Sequence, residues 1–394
     1  MIEAGSQAFW RATLALGLGS FLIFSNLYLT QPLLPALAQQ FAISPLTASY
    51  SFTLTTLFLG LSLLLYGPLS DALGRRPIML LTMAGAVLCT LALSQVQSLA
   101  ALLILRALQG FFLGGLPAIA IAYMGDEMTK PALVTAVGFY ISANSIGGIG
   151  GRLLGGFLGD SLGWQDAFGV MALGSLLVLL LFAWLLPPST GFVRKKLHPK
   201  RMVGDLWQHL GNPVLLVSFL IGGLNFFIFV NQYSYLTFRL SAAPYQLPTR
   251  FLGMLFLTYL SGTYASTLSG RLAQKQPQPR VMMAGIGLMM LGSLISLASP
   301  LYLIMSGFLV SAFGFFLCHA NASSWVNQQA VTAKASASSL YLVFYYLGAS
   351  LGGVYLSPFW HWLAWPGVII GSMLILSITM VLARWLLKRA SMNK

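Results

Sequence analysis

The chain has 394 residues, of which 57% are hydrophobic and 7% charged. Soluble domains devote about a quarter of their residues to charge, so a disordered chain, a disulfide scaffold and an ordinary water-soluble enzyme are excluded. A net charge of +14 would point to nucleic acid in a soluble protein; here it points to Lys and Arg gathered on one side of a lipid bilayer, with no nucleic-acid partner.

A helix needs about 20 apolar residues to cross a bilayer. Runs of that length fall at about 10–30, 48–70, 76–96, 99–124, 132–156 and 165–186. A second set falls at about 213–238, 250–272, 280–298, 301–326, 336–356 and 363–387. The expectation is an all-α membrane protein of 12 transmembrane helices, with a six-helix half over 1–186 and another over 213–394. No small-residue cleavage site follows a short apolar core at the start, so the first run is expected to remain a helix. Between the halves, 187–212 opens with Pro187-Pro188 and carries Arg194, Lys195, Lys196, Lys200 and Arg201. Topology and contact with lipid head groups account for these charges.

If the N-terminus is cytoplasmic, 17 of the 21 Lys and Arg residues face the cytoplasm, Arg239 and Arg250 lie outside, and Arg106 and Arg152 sit within spans. That bias predicts two cytoplasmic termini. Cys89 and Cys318 lie in apolar runs and read as packing residues. The halves also repeat each other: Gly110-Phe111-Phe112-Leu113 matches Gly314-Phe315-Phe316-Leu317, and Lys130 matches Lys334 at the same offset. Duplicated halves place a substrate site between them near the bilayer midplane.

The turn after the second run reads Gly67-Pro68-Leu69-Ser70-Asp71-Ala72-Leu73-Gly74-Arg75-Arg76-Pro77. It resembles the G-x-L-[SA]-D-R-x-G-R-[RK] signature of the major facilitator superfamily, with Ala72 where that family usually has Arg. The resemblance implies the twelve-helix major facilitator fold and a gating role for Gly67, Asp71, Gly74, Arg75 and Arg76. An aspartate there can sit against a helix N-terminus and the basic pair, a contact that the family makes across its halves and breaks on changing state. Span 4 holds Arg106-Ala107-Leu108-Gln109-Gly110, which is similar to the family's R-x-x-Q-G motif. An arginine inside a span faces a cavity or a partner more often than it reaches the interface.

In span 5, Gly138, Gly147, Gly151, Gly155 and Gly156 fall at the spacing of the family's antiporter motif. Three of them recur every four residues and offer a bare stripe for close helix packing. Arg152 stands where that motif has proline, which weakens the antiporter label but not the fold. Asn144-Ser145-Ile146-Gly147-Gly148 with Gly151-Arg152, His319 with Ala322-Ser323-Ser324-Trp325, and Ala337-Ser338-Ser339-Leu340-Tyr341 together resemble the YnfM-type branch of bacterial drug-efflux carriers, which implies a bacterial inner membrane.

The candidate substrate or proton site comprises Asn26, Tyr28, Gln109, Asn144, Asn225, Asn231, Tyr259, His319, Asn321, Tyr341 and Tyr345, any of which can equally be an interhelical hydrogen bond. A largely apolar cavity with scattered amides and phenols suits a small, partly lipophilic solute. All seven acidic residues lie in loops or at span ends. With Arg106 and Arg152 embedded, such a cavity should favour neutral or anionic solutes unless Asp160 or Asp166 neutralises Arg152. His319 lies mid-span, where the repeat has Gly115, and its ring can exchange a proton as its access to water changes. The expected function is secondary active transport by alternating access, exporting small lipophilic compounds, with protons as the candidate coupling ion. A metabolite or sugar exporter and a non-transporting sensor on the same scaffold are the alternatives. Neither catalysis, a cofactor nor a metal is expected, and the chain reads as a monomer.

Overall fold

A computed structural model of the chain describes residues 1–194 and 199–392; Lys195, Lys196 and Lys394 of the basic tally lie outside them. The described residues are helical apart from turns and one isolated bridge between Ile2 and Met128. Helix α1 (Gln7–Tyr28) starts at Ser6, whose hydroxyl accepts from the Phe9 N–H at 3.1 Å. A 3₁₀ turn, Gln31–Leu33, leads into the short α2 (Leu34–Gln40). Helix α3 (Pro45–Leu73) has the Ser44 cap and a proline in its first turn, and ends at Gly74. With φ at +110°, Gly74 occupies backbone space that a side chain disfavours, and α4 (Arg75–Leu93) begins at the next residue.

The fourth run is α5 (Leu99–Leu113) followed, across Gly114, by α6 (Gly115–Glu127). Helices α7 (Lys130–Leu162) and α8 (Trp164–Leu185) complete the first six runs. The linker contains a helix of its own, α9 (Pro199–Leu210). The second set is α10 (Pro213–Ser241), α11 (Thr249–Met254), α12 (Tyr259–Lys275), α13 (Gln278–Ile295), α14 (Leu301–Gln329) and α15 (Lys334–Met392).

Two expectations need correction. The run at 250–272 is not one helix: a 3₁₀ turn at Leu255–Thr258 divides α11 from α12. The last two runs join into α15, broken only at Leu363 and Ala364, where Ala364 takes φ of +50° just ahead of Pro366. Ten helices among the described residues are long and apolar enough to cross a membrane, and one of them contains that break. Leu88, Ile104, Leu173 and Val381 point outward without cover, as lipid-facing residues do.

The chain packs as two compact units. The first takes the residues before the undescribed stretch together with Pro244–Met254, and the second takes the remainder. Pro244–Met254 falls with the first unit, where α11 lies on α7 and a Cβ at Gly156 would meet the Gly253 Cα at 2.8 Å. The first core gathers Leu29, Leu33, Leu93, Leu102, Trp164 and Phe168.

Candidate functional site

In the first unit the signature turn forms an ion network. Arg75 is 6% exposed; its guanidinium lies 2.5 Å from Asp71 and 3.0 Å from Asp126, and it donates to Ser70 Oγ at 2.8 Å. Arg76 turns away and donates to the Ala183 carbonyl at 2.7 Å. Gly67 has open space around it. Beside this network lies Glu127, which carried no role in the sequence reading. Its buried carboxylate accepts from the Thr190 N–H and hydroxyl, both at 3.0 Å, and from the Gly191 N–H at 2.9 Å. The start of the linker is thereby strapped to the end of α6. Arg194 adds a bond to the Ala72 carbonyl at 2.5 Å.

The glycine stripe of α7 meets α1 in register. A Cβ on Gly147, Gly151 or Gly155 would collide with the backbone of Phe21, Ser25 or Leu29, so the bare faces let the two backbones touch. Ser25 ties the seam with a hydroxyl bond to the Gly147 carbonyl at 3.1 Å. Gly138, grouped with the seam glycines by the motif spacing, lies off the seam with nothing near it. Gly156 faces α11 instead.

Arg106 neither lines a cavity nor reaches an interface. Fully buried, it donates to the carbonyls of Ser51 at 3.0 Å, Asn26 at 3.3 Å and Leu27 at 3.2 Å, and also to Gln109. Asn26 is saturated: its amide donates to the Leu22 carbonyl and Ser175 Oγ, both at 2.9 Å, and accepts from Thr90 at 2.8 Å and Gln109 at 3.3 Å. Asn26 and Gln109, expected in a substrate site, therefore cross-link α1, α4, α5 and α8.

Arg152 is 1% exposed. It donates to Gln31 at 2.7 Å and to the Gly148 carbonyl at 2.9 Å, with its guanidinium 3.7 Å from the centre of the Tyr28 ring. Asp160, considered as its neutraliser, lies 3.7 Å from Arg250. Asn144, half-buried, accepts from Ser20 across the α1–α7 seam.

The second unit is aromatic where the first is polar. Tyr345 stacks on Phe226 at 3.7 Å and Phe229 on Phe315 at 4.0 Å, with Tyr259 edge-on to Tyr233 and Phe316. His319 lies against Phe315 and Tyr345, and its Nδ1 is within hydrogen-bond distance of the Tyr341 hydroxyl at 2.9 Å. His319 and Tyr345 are half-buried, while Tyr341 is buried. Asn225 donates to Cys318 Sγ at 3.0 Å, and its Oδ1 has no partner. Asn231 bonds the Ala349 and Phe227 carbonyls at 2.9 and 3.0 Å, and Asn321 bonds Leu317 one turn back. Asn225, His319, Tyr341 and Tyr345 therefore come together, whereas Asn231 and Asn321 are held by backbone.

The sequence reading missed a second seam. Gly348 and Gly352 of α15 press on the backbone of Gly223 and Phe227 in α10, as Gly151 and Gly155 press on α1. The four-residue spacing of Gly348 and Gly352 was the signal that could have found it.

The comparisons with known proteins agree with this geometry. The family model described as Major Facilitator Superfamily matches residues 16–353. The inner membrane transport protein YnfM of Escherichia coli (strain K12) is 37% identical over 96% of this chain and 91% of its own length. The uncharacterized MFS-type transporter YybF of Bacillus subtilis (strain 168) is 37% identical over 93% of this chain and 91% of its own. Among solved structures, a bacterial homologue of the human lysosomal transporter Spinster, captured inward-facing and unoccupied, superposes with a TM-score of 0.78 at 16% identity, covering 98% of this chain and 99% of that one. The chain belongs to the major facilitator superfamily: it is a multi-pass membrane transporter and not an enzyme.

Proposed function

We propose that this transporter exports small lipophilic compounds, neutral or anionic, by alternating access across a bacterial inner membrane, with both termini cytoplasmic. The observation that carries the reading is the charge balance of the spans. Arg106 and Arg152 are buried on carbonyls, amides and an aromatic face, while all seven carboxylates lie in turns, linkers or near helix ends. An interior with fixed positive charge repels cations and tolerates anions. The stacked Phe226–Tyr345 pair beside half-buried His319 supplies flat apolar surface with a polar edge, which fits a planar lipophilic solute.

Proton coupling is assigned to His319. Among the four histidines, His209 is fixed on the Ala333 carbonyl near the linker, His361 lies close to the break in α15, and His198 lies outside the described residues. His319 stands within α14, one turn from the aromatic stack. The test is uptake into inverted vesicles of labelled neutral, anionic and permanently cationic lipophiles, with and without an imposed pH gradient. Faster, gradient-dependent uptake of the first two classes is expected. If permanently cationic dyes are the best substrates, the reading fails.

A further inference from the structure

The first residues of the linker are tied to the signature turn more closely than a plain connection requires. Glu127, the last residue of α6, is buried, and both of its carboxylate oxygens are taken by linker donors. Oε2 accepts from the Thr190 N–H and hydroxyl, and Oε1 from the Gly191 N–H. Among the described residues no Lys, Arg or His lies within ion-pair distance of it, whereas its neighbour Asp126 takes Arg75. A Cβ on Gly191 would collide with the Asp126 carbonyl, so the linker comes this close because residue 191 is glycine. One turn before Glu127, the Tyr123 hydroxyl donates to the Pro187 carbonyl at 2.8 Å. Residues 187–191 are thereby pinned to α6, with charge-assisted bonds at the far end.

This placement brings Phe192 and Arg194 to the turn. The Phe192 ring lies 5.7 Å from the Arg75 guanidinium. The Arg194 Nε–H donates to the Ala72 carbonyl at 2.5 Å. The last turn of a helix leaves carbonyls that the helix itself cannot pair, and its negative end opposes a carboxylate. In α3 that turn holds Asp71 and no basic residue. A cation has to come from elsewhere. Arg75 comes from the start of α4, and Arg194 comes from the linker, 122 residues beyond Ala72. Ala72 is also the position at which the family signature usually has Arg, so the guanidinium on its carbonyl arrives where the motif is short of one.

We propose that Arg194 stands in for the arginine absent from position 72, as a gating residue contributed by the linker, and that Glu127 is the positioning residue that holds it there. Removing either loosens the last turn of α3, and with it the Asp71 contact whose making and breaking accompanies a change of state. The assignment rests on the gating role of the signature turn, which Asp71→Asn tests separately. It holds for any cargo, either direction of transport and any coupling ion.

The test is hydrogen–deuterium exchange of the full chain in lipid nanodiscs, together with spectroscopic distances between labels at the exposed Val134 and Val331. Arg194→Gln should speed exchange at the end of α3, where the Gly74 N–H is held on the Ser70 carbonyl. The expected change is about two- to fivefold, the range for a cation at a helix C-terminus. The distance distribution should shift as well. In an Ala72→Arg background the same substitution should change neither, because position 72 then supplies its own cation. Glu127→Leu should raise exchange over 187–194 about tenfold and reproduce the effect of Arg194→Gln at the end of α3. Glu127→Gln keeps an acceptor oxygen for Thr190 and Gly191 and should lie closer to wild type. The proposal is overturned if Arg194→Gln leaves the end of α3 unchanged, if it acts equally in the Ala72→Arg background, or if Glu127→Leu frees the linker without affecting that end. Faster exchange with unchanged distances makes Arg194 a helix cap alone and overturns it too.

Discussion

In the first half, the Gly147, Gly151 and Gly155 row lets α7 touch the backbone of α1; in the second, Gly348 and Gly352 let α15 touch α10 in the same way. Each seam also has a polar tie to a main-chain carbonyl, Ser25 to Gly147 and Asn231 to Ala349. The interiors beside these matched seams diverge. One is laced by Arg106, Gln109, Asn26 and Thr90, whose hydrogen bonds fix distance and direction. The other is filled by rings, with Phe226 on Tyr345 and Phe229 on Phe315, whose contacts are broad and tolerate sliding. Close backbone contact is common to both halves, while the choice between rigid links and adaptable surface is made separately in each.

The sharpest way to break that comparison is at Arg106. Arg106→Met should keep the bulk, strand three carbonyls and free Gln109, costing about 3 kcal/mol. Phe229→Leu trims one ring of the opposite stack and should cost about 1 kcal/mol. Thermal unfolding of the purified variants in one detergent measures both. Equal losses would mean that the two interiors are equally rigid.

The seams come next. Gly151→Ala and Gly348→Ala each place a Cβ against a backbone carbonyl of the facing helix and should destabilise by about 1–3 kcal/mol. Gly138→Ala, in open space within the same helix as Gly151, should be neutral or stabilising by up to about 1 kcal/mol through helix propensity. If Gly138→Ala is as damaging as Gly151→Ala, the close approach is not what these glycines serve.

Much of the frame was legible because a bilayer demands long apolar runs, and the signature turn was legible because Gly74 and Arg75 sit at a helix junction. What escaped depended on partners remote in sequence. Arg106 announces itself as a charge in a span, but nothing local says that its acceptors are carbonyls of α1 and α3. Leu255–Thr258 is as apolar as its neighbours, so its 3₁₀ geometry leaves no mark in composition. Glu127 looked like a loop charge because the groups it holds, Thr190 and Gly191, lie 63 and 64 residues on.

A smaller effect is expected at the signature turn. Asp71 is 34% exposed, and Asp71→Asn leaves Arg75 on Asp126 at 3.0 Å, so the stability loss should be below about 1 kcal/mol. A similar energy moves a two-state balance about fivefold. Spectroscopic distances between labels on helix ends, compared with wild type, should therefore report a redistributed population in a protein that is equally well folded. Unchanged distance distributions would leave Asp71 as a topology charge.

The smallest structural change with a selective consequence is expected at His319. In the first half the buried arginines are bound to fixed acceptors; in the second, His319 stands within α14 beside the aromatic stack and is the residue to which coupling is assigned. Its Nδ1 contact with Tyr341 is compatible with a purely structural ring, so loss of activity alone would decide nothing. His319→Gln retains polarity and a hydrogen bond to Tyr341 while removing titration, and its stability should lie within about 1 kcal/mol of wild type. Two transport modes then separate the readings. Exchange of labelled for unlabelled substrate needs only binding and alternation, whereas accumulation driven by a pH gradient also needs the proton carrier. Retained exchange with lost accumulation places His319 in the coupling path. Both modes persisting unchanged makes His319 a packing residue of the aromatic half and removes the proposed functional asymmetry between the two interiors.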